Sequence, residues 1–527
     1  MKAEGAKEFN RESLLWHAVE CWAARCPDKE ALVNDAVRLT WRDFQRQVEQ
    51  IALGLLELGV KPGDRVAMLS MACVEFLPVF LATSRIGAIW VGISPRSTLS
   101  ELRFLIGDCR PMILISLRKC LGRDLTDDLE TLRREFPDLR RVLVLGESFD
   151  DFVFRERPGL ESELRSREAN GQPDDAALLL YTSGSTGKPK GVVHTHGTII
   201  RNAAVQVAQF GFDEHSKALL HFPINHVAAV IETGFASVYA GATIVLMDRF
   251  DPAQSLRVIE QEQITVVGQV PTMFLMQFQT PAFRSVDLSQ VRSFIWAGST
   301  APRRMIEVLG DISRKTGARL ITGYGSTEVG GFVTYSASED DWETLATTAG
   351  RIVPPFELRI VDDARCEVTD GSVGEIALHG PMLMRGYFGN PEATAAVVDR
   401  EGWYYSGDLA WKDARGYIHI VGRKSEMYKS GGENIYPREI EEVLEAHPAV
   451  LFTAVIGVPD PLYQEVGHAF IMLKPGIVAT EEQLRTHCQQ HLARFKIPKN
   501  FEMRPQLPML PTGKVDKVRL MRELNEM

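Results

Sequence analysis

The sequence predicts an α/β protein, with a large N-terminal domain of mixed sheets flanked by helices and a small C-terminal α+β domain. Over about the first 420 residues, short apolar runs alternate with segments whose apolar side chains repeat at helical spacing, which is typical of α/β folds. After Gly422 the pattern becomes shorter, with about 100 residues of α+β character, enough for a separate domain. We therefore place the domains at 1–422 and 423–527.

Local start and stop signals define elements in both domains. Thr40 is placed to cap a helix with a regular apolar face. The segment 292–297, RSFIWA, predicts a buried strand, and the next helix is predicted to begin at Pro302 and end at Gly317. In the C-terminal domain, Thr480 begins a capping-box pattern that predicts another helix.

Composition and charge exclude several classes of function. The chain has 527 residues, of which 45% are hydrophobic and 24% charged, as in ordinary folded proteins. The net charge of −10 disfavours general binding to nucleic acid. The seven cysteines form no C-x-x-C pair, so neither a disulfide framework nor a zinc site is indicated, and a reduced cytoplasmic compartment fits best. Since no run of 18 apolar residues occurs, we expect no integral membrane segment.

The stretch YTSGSTGKPKG at 181–191 predicts a phosphate-binding loop. Its glycines let backbone N–H groups approach a polyphosphate, while hydroxyls add donors and lysines add charge. It is not the P-loop of NTPases, because Gly184 and Gly187 are too close and Pro189 stands where that motif needs Ser or Thr. The apolar run before it and GKPKGVVHTH after it favour a phosphate site over an ordinary surface loop.

Two further turns carry carboxylates. GYGSTE at 323–328 follows the predicted strand LIT, in the position where open α/β sheets bind ligands. Glu328 in this turn is a hard oxygen ligand suited to Mg²⁺, although a residue in a first helical turn would look the same. In the turn SGD, Asp408 can accept hydrogen bonds from both hydroxyls of a ribose, although such a turn alone is usually structural.

Two glycine-containing segments lie in the C-terminal domain. Gly431 and Gly432 can expose backbone to a narrow ligand or act as a hinge, and a simple linker turn is the alternative. Lys514 stands on the turn LPTGK, where a lysine is usually solvated. Each of these segments is a weak indication alone, and their order and spacing together carry the interpretation.

In this order and spacing, the five segments resemble the AMP-forming adenylate family: acyl- and aryl-CoA synthetases, firefly luciferase and the adenylation domains of peptide synthetases. The resemblance extends from about residue 15 to about residue 520. It implies that a carboxylic acid reacts with ATP to give an acyl-adenylate and pyrophosphate, and that CoA then takes the acyl group. ATP, Mg²⁺ and CoA are therefore the implied cofactor and cosubstrates.

The resemblance also implies a role for each motif at the nucleotide. The implied ATP-binding residues are Thr182, Ser183, Gly184, Ser185, Thr186, Gly187, Lys190, Gly298, Ser299, Thr300, Tyr324, Asp408 and Arg423. Within this set, Tyr324 would stack near the adenine and Asp408 would bind the ribose hydroxyls, with Arg423 nearby.

The implied catalytic residues are Lys514, Thr327 and Glu328. Thr327 would bond the α-phosphate, and Glu328 would hold Mg²⁺ with Thr186. Lys514 would reach both the substrate carboxylate and the α-phosphate. These roles suit the reaction, because an attack of a carboxylate on a phosphate brings two anions together and needs cations placed in advance.

The C-terminal domain is implied to be mobile and to swing between the two half-reactions. Lys514 would then leave the site and the CoA-binding residues would arrive. The implied CoA-binding residues are Ser430, Gly431, Gly432, Glu433, Phe495 and Lys496. Ser425 departs from the family pattern, in which the hinge position is usually Asp or Lys.

The segment 221–234, HFPINHVAAVIETG, is implied to form the acid pocket. The predicted pocket residues are His226, Val227, Val230, Gly298 and Gly323. Ala228 and Ala229 are small and leave room for an apolar tunnel, and Glu232 is the one acidic residue of the stretch. We therefore expect an apolar acid rather than an amino acid, and favour a medium- or long-chain fatty acid over an aryl acid.

Several alternatives stay open at this point. An aryl-acid CoA ligase fits nearly as well, and a free-standing adenylating enzyme that loads a carrier protein is a further alternative. A non-catalytic nucleotide-binding protein is disfavoured because Lys514 and Glu328 are both present. The expected partners are small molecules (a carboxylic acid, ATP and CoA), with no nucleic acid, and a homodimer is compatible with the sequence.

Overall fold

The computed structural model of the protein describes residues 13–182, 189–298, 301–474, 476–509 and 515–525. They form two seven-stranded sheets, a four-stranded sheet and a five-stranded sheet, with helices packed against them. The five-stranded sheet belongs to the C-terminal part and the other three to the N-terminal part. The predicted mixed α/β domain followed by a separate small α+β domain is thus confirmed.

The first sheet is parallel except for one edge strand, which pairs antiparallel with its neighbour. In spatial order its strands are Arg319–Thr322, Ser293–Trp296, Val266–Gln269, Lys217–Leu220, Thr243–Leu246, Glu30–Val33 and Arg38–Thr40. The parallel arrangement brings the carboxyl ends of neighbouring strands to one edge, where ligands bind in open α/β sheets.

The second sheet has five parallel strands and two antiparallel strands at one side. In spatial order its strands are Gly386–Tyr387, Lys190–Thr195, Ala176–Thr182, Ile89–Ile93, Arg65–Leu69, Ile113–Ser116 and Arg141–Val144. The antiparallel pair 176–182 and 190–195 therefore holds both ends of the predicted phosphate loop.

The third sheet and the C-terminal sheet meet in sequence near the predicted domain boundary. The third sheet is antiparallel, in the order Glu357–Val361, Gly374–His379, Tyr404–Lys412 and Ile418–Arg423. The C-terminal sheet runs in the order Glu433–Ile435, Tyr428–Ser430, Gln464–Leu473 and Val450–Asp460, and Asn500–Met503 also pairs with Gln464–Leu473. The chain changes sheets within 424–427, while the division at 422/423 itself stays a prediction.

The remaining strands form three two-stranded antiparallel sheets: Lys119–Cys120 with Arg123–Asp124, Gly325–Ser326 with Gly331–Phe332, and Thr334–Tyr335 with Arg351–Ile352. The N-terminal helices are His17–Arg25, Trp41–Glu57, Phe76–Arg85, Leu99–Cys109, Thr126–Glu135, Ser148–Phe154, Glu161–Asn170, His196–Phe210, Ala228–Phe235, Ala236–Ala240, Pro252–Gln261, Pro271–Phe278, Pro281–Arg284, Arg303–Thr316, Thr327–Val329, Trp342–Thr347 and Pro391–Val397. The C-terminal helices are Pro437–Ala446, Glu481–His491, Arg494–Lys496 and Lys517–Asn525.

The predicted helix signals are confirmed. Thr40 caps Trp41–Glu57 in a reciprocal capping box with Asp43, and Thr480 caps Glu481–His491 in the same way. The helix Arg303–Thr316 begins after Pro302 and ends at Gly317, which adopts the left-handed conformation. In the described ranges, none of the helices combines the length and apolar character that a bilayer crossing requires.

Candidate active site

A cleft of about 2920 Å³ is lined by residues of both the N-terminal and the C-terminal part. The predicted site residues on its wall are Thr182, Lys190, His226, Val227, Gly298, Gly323, Tyr324, Thr327, Glu328, Asp408 and Arg423. A pocket for one drug-sized ligand usually measures roughly 300–1,000 Å³. The cleft therefore has room for a nucleotide and a second substrate together.

Gly298 and Gly323 follow two neighbouring strands of the first sheet. The strands Ser293–Trp296 and Arg319–Thr322 pair in parallel, with Trp296 opposite Thr322. Because both strands end at the same edge, the two glycines lie side by side on the cleft wall. Ser299 and Thr300, predicted beside the adenine, lie outside the described residues.

The turn GYGSTE packs directly against the backbone of the strands Gly331–Phe332 and Thr334–Tyr335. A Cβ atom at Gly323 would lie 2.0 Å from the Thr334 carbonyl oxygen, and one at Gly325 would lie 1.9 Å from that of Gly331. No side chain fits in either place, which explains both glycines of the motif. The Tyr324 N–H donates to Thr334 Oγ1 at 2.8 Å and fixes the turn.

Asp408 is the centre of a hydrogen-bonded group on the cleft wall. Its carboxylate is nearly buried, at 8% exposure, and accepts at Oδ2 from the Tyr324 hydroxyl at 2.6 Å and at Oδ1 from Arg423 Nε at 3.0 Å. Burial and the Asp408 carboxylate raise the pKa of Tyr324 well above its usual value, so the phenol stays a donor. The Asp408 charge likewise raises the pKa of Arg423. A carboxylate has about four lone-pair sites, so both oxygens can still accept from ribose hydroxyls.

Glu328 is held by a tyrosine that the sequence did not indicate. The Tyr387 hydroxyl donates to Glu328 Oε1 at 3.1 Å, and Lys190 Nζ lies 5.1 Å from the centre of the Tyr387 ring. Tyr387 therefore joins the predicted metal ligand to the end of the predicted phosphate loop. The other oxygen of Glu328 makes no hydrogen bond with any described residue.

This arrangement of Glu328 fits Mg²⁺, which prefers hard oxygen ligands and usually shares them with substrate phosphates. Among the described residues, no group of three or more His, Cys, Asp or Glu side chains could hold a metal alone. Mg²⁺ would therefore be held by Glu328 together with ATP phosphate oxygens. Thr186, its other predicted ligand, lies outside the described residues.

His194 is a second residue that sequence reasoning missed. It is fully buried, and Nε2 lies 2.7 Å from the Thr327 carbonyl oxygen. Burial lowers the pKa of His194 to about 4, so the ring is neutral at physiological pH. Since a carbonyl oxygen only accepts, Nε2 carries the proton and positions Thr327. The only signal was its place in GVVHTH, beside the phosphate loop.

The phosphate loop connects two paired strands. Thr182 stands opposite Lys190 in their register, and Thr182 Oγ1 lies 3.5 Å from the Lys190 carbonyl oxygen. Both residues line the cleft, so the loop starts and ends at the site. The remaining predicted loop residues, Ser183, Gly184, Ser185, Thr186 and Gly187, lie outside the described residues.

The predicted acid pocket is built on the helix Ala228–Phe235, which has wide π-type turns. His226 and Val227 line the cleft just before this helix, and His226 Nδ1 accepts from the Ala228 N–H at 3.1 Å. Val230 corrects the prediction: it is fully buried in the apolar core and does not belong to the cleft wall. The helix turns this side chain away from the cleft.

The flanks of the predicted catalytic lysine face the cleft. Met509 and Val515 form an isolated antiparallel bridge, and both line the cleft. Residues 510–514 between them, including Lys514, lie outside the described residues. Lys517, at the start of the last helix, forms ion pairs with Glu426 at 2.6 Å and Glu441 at 2.8 Å.

The predicted CoA-binding residues lie away from the cleft wall. The turn at Gly431 and Gly432 connects two strands of the C-terminal sheet, and the Gly431 N–H donates to the Tyr463 carbonyl oxygen at 2.9 Å. Ser430 is buried, and Glu433 is exposed. Phe495 is 47% exposed, and the Lys496 ammonium pairs with Glu439 at 2.6 Å. In this structure the cleft faces the Met509–Val515 side of the domain instead.

Comparison with known proteins decides the family. A family model described as "AMP-binding enzyme" matches residues 19–388, and one described as "AMP-binding enzyme C-terminal domain" matches residues 439–514. The chain belongs to the AMP-binding enzyme family. This confirms the predicted membership of the adenylate-forming enzymes, here with the acyl-CoA synthetases among its relatives.

The alignments with similar proteins cover most of both chains. Feruloyl-CoA synthase of Amycolatopsis sp is 34% identical, over 94% of this chain and 96% of that protein. A mitochondrial medium-chain acyl-CoA ligase of Rattus norvegicus is 30% identical, over 96% and 87%. The crystal structure of the anthranilate CoA ligase AuaEII with anthranoyl-AMP matches with a TM-score of 0.87 at 26% identity, covering 98% of both chains. The family is one of acid–thiol ligases that use ATP with Mg²⁺, and CoA is the cosubstrate.

Proposed function

We propose that this protein is a carboxylic acid–CoA ligase that adenylates an acid with a largely apolar acyl group and transfers that group to CoA. The observation that carries the proposal is the fixed group of Asp408, Tyr324 and Arg423 on the same cleft wall as Glu328. This group offers ribose acceptors close to a magnesium ligand, which is what an ATP molecule attacked at its α-phosphorus requires.

In the first half-reaction, an oxygen of the substrate carboxylate forms a bond to the α-phosphorus of ATP, and the bond to the pyrophosphate oxygen breaks. The nucleophile is already ionised, so no general base is needed. Thr327, held through its carbonyl by His194, would place its hydroxyl at the α-phosphate, and the Lys514 ammonium would offset the approaching charges. Bound Mg²⁺ would neutralise charge on the leaving pyrophosphate.

In the second half-reaction, the CoA thiolate, formed by loss of the thiol proton to water, forms a bond to the acyl carbon; the bond from that carbon to the AMP phosphate oxygen breaks, and AMP leaves with the bonding electrons. We propose that the C-terminal domain rotates for this step and brings the Gly431–Gly432 turn to the cleft. Gly431 and Gly432 are not on the cleft wall in this structure, whereas Met509 and Val515 are, which supports an arrangement suited to adenylation. A bulky side chain at Gly431 is therefore expected to block the CoA step while adenylation persists.

The acid itself has two candidate classes. A medium- or long-chain fatty acid is the first, because the pocket helix is almost wholly apolar and a medium-chain acyl-CoA ligase is among the relatives. An aryl acid is the second, because the cleft wall includes Phe210 and Phe332, whose rings meet edge to face at 5.2 Å. The similarity to feruloyl-CoA synthase and to an anthranilate CoA ligase also favours it.

A cytoplasmic location and a homodimer are proposed alongside the activity. The cysteines are reduced, and Cys109, Cys120 and Cys488 are buried. Free thiols are typical of proteins in a reducing compartment, which supports the location.

The test is pyrophosphate release from ATP with acids from acetate to palmitate and with benzoates and cinnamates, each with and without CoA. We expect turnover on one class that rises with CoA and yields the acyl-CoA. The Gly431→Trp variant should still release pyrophosphate in a single turnover but form no thioester. Silence on every acid, or turnover that ignores CoA, would favour a carrier protein as acyl acceptor instead.

A further inference from the structure

Glu232 is an acidic side chain on the pocket helix that the proposed mechanism does not use. It is part-buried and lines the cleft, next to fully buried apolar residues of the same helix. Its carboxyl group makes no hydrogen bond and no ion pair with any residue in the described part of the chain. Such a group becomes costly when a bound substrate buries it, since buried polar atoms are almost always paired.

The surroundings of Glu232 leave space for the carboxyl group, but none of the described residues hydrogen-bonds to it. A Cβ atom at Gly331 would lie 2.6 Å from Glu232 Oε1, and Gly331 has a φ of +120°, so only glycine fits here. Two nearby side chains donate hydrogen bonds to backbone carbonyl oxygens rather than to Glu232. The Tyr335 hydroxyl donates to the Phe332 carbonyl oxygen at 3.1 Å, and Gln206 Nε2 donates to that of Gly330 at 3.1 Å.

The position of Glu232 places it along the path of a bound acyl group. Gly331 pairs with Ser326, in the turn that leads to Thr327 and Glu328. Phe332 follows Gly331 and lines the same cleft. An acyl group that extends from the reacting carboxylate into the apolar part of the cleft would therefore pass close to the Glu232 carboxyl group.

We propose that Glu232 determines specificity in the acyl pocket by hydrogen bonding to a hydroxyl group on an otherwise apolar acyl chain or ring. This inference rests on the proposed function and narrows its substrate class. A hydroxyl both donates and accepts one hydrogen bond, so it satisfies the carboxyl group in either protonation state. An unsubstituted acyl group would bury the carboxyl group without a partner and lose affinity.

The electrostatics of the site favour a neutral partner over a cationic one. Burial raises the pKa of Glu232 to about 8, so the carboxyl group is largely protonated at neutral pH. An ammonium group on the substrate would need the ionised form and would itself have to give up its hydration. The hydroxyl group is therefore the ligand chemistry that fits with least cost.

The experiment compares acids in pairs that differ by one hydroxyl group, such as decanoate with 10-hydroxydecanoate and cinnamate with 3- or 4-hydroxycinnamate. The measured quantity is the ratio of kcat/KM within each pair, from pyrophosphate release. We expect the native protein to favour at least one hydroxylated acid by about 10-fold or more, because sites that hydrogen-bond a substrate hydroxyl discriminate strongly against analogues that lack it.

Two variants and a control decide the role of Glu232. Glu232→Leu should favour the unsubstituted acid of that pair, and Glu232→Gln should keep part of the preference for the hydroxylated one. Glu343→Leu, at an exposed glutamate on the same cleft wall, should leave the ratio unchanged. Because both acids are measured on one preparation, the ratio does not depend on the fraction of folded enzyme.

The failures of the two proposals are distinguishable. A native protein that releases pyrophosphate but prefers the unsubstituted acid in every pair overturns the inference about Glu232 alone. A Glu232→Leu variant with an unchanged ratio does the same. If no acid supports pyrophosphate release, the proposed function fails, and the inference fails with it.

Discussion

The proposed nucleotide end and the proposed acyl end of the cleft differ in the hydrogen bonds that their carboxylates make. At the nucleotide end, each oxygen of Asp408 already accepts a hydrogen bond, from Tyr324 and from Arg423. At the acyl end, Glu232 has no hydrogen-bond partner among the described residues. The first end is fixed before any substrate binds, whereas the second leaves a polar group for the substrate to satisfy.

This difference in hydrogen bonding fits the molecules that the two ends are proposed to bind, ATP at one end and the acid at the other. ATP is the same molecule in every ligase of this family, so its contacts can be built in advance and cost no reorganisation during reaction. The acid differs between relatives, whose names include feruloyl-CoA synthase and a medium-chain acyl-CoA ligase. A polar group without a protein partner can discriminate strongly between acids, because an acid that does not hydrogen-bond to this group leaves it unpaired and binds more weakly.

The largest predicted effect tests the nucleotide end at the reacting phosphate. Lys514→Ala should lower the rate of adenylate formation by about 10²–10³-fold, since it removes the positive charge that the proposed mechanism uses in the transition state. Thioester formation from a supplied acyl-adenylate should stay near the native rate, because the lysine serves only one half-reaction. Single-turnover measurements of each half-reaction check both expectations.

The control for this variant is Lys499→Ala, at a lysine of the same domain whose ammonium pairs with Asp460 at 3.2 Å. It should leave both half-reactions unchanged. Equal loss of both half-reactions in folded Lys514→Ala protein would contradict the two-conformation mechanism.

The second prediction breaks the fixed group at the ribose. Asp408→Asn removes the charge that Arg423 pairs with and one acceptor oxygen, so KM for ATP should rise by about 10- to 100-fold. Tyr324→Phe removes only the donor to Asp408 Oδ2 and should cost less. Steady-state kinetics with ATP varied at saturating acid check the order. A larger effect of Tyr324→Phe would mean that the tyrosine, and not Asp408, organises the nucleotide end.

The parts of the fold that could be predicted from the sequence depend on local signals. Each of Thr40, Gly317 and Thr480 caps a helix by contacts within one helical turn, so the sequence alone predicts where these helices begin or end. The contact of Tyr387 with Glu328 joins residues 59 positions apart and arises from strand pairing that one sequence does not reveal.

Val230 shows a different limit of sequence reasoning. His226 and Val227 of the segment 221–234 line the cleft, but the orientation of each later side chain depends on the helix type. The π-type turns of Ala228–Phe235 change that orientation, and the residue pattern does not predict such turns. Val230 is therefore in the core, while Glu232 lies on the cleft.

The smallest predicted effect concerns the hinge rather than either end of the cleft. Ser425 supplies no charge there, but the next residue, Glu426, pairs with Lys517, which also pairs with buried Glu441. Burial by itself would lower the pKa of Lys517, and Glu441 and Glu426 raise it above its usual value. The lysine is thus a charged group that connects the start of the last helix to Glu426, next to the predicted hinge at Ser425.

Lys517→Met should therefore lower the free energy of unfolding of the C-terminal domain by about 1–3 kcal/mol, because it leaves Glu441 without its nearest cation. Glu441 keeps the hydrogen bond from the Val455 N–H at 2.8 Å, which limits the loss. Under the proposed mechanism, in which Lys514 serves adenylation, the rate of adenylation should fall a few-fold, while thioester formation changes less. Lys517→Arg should restore both values. If Lys517→Met slows the two half-reactions equally, the lysine acts on stability alone, and the charge of the hinge does not bias the domain toward adenylation.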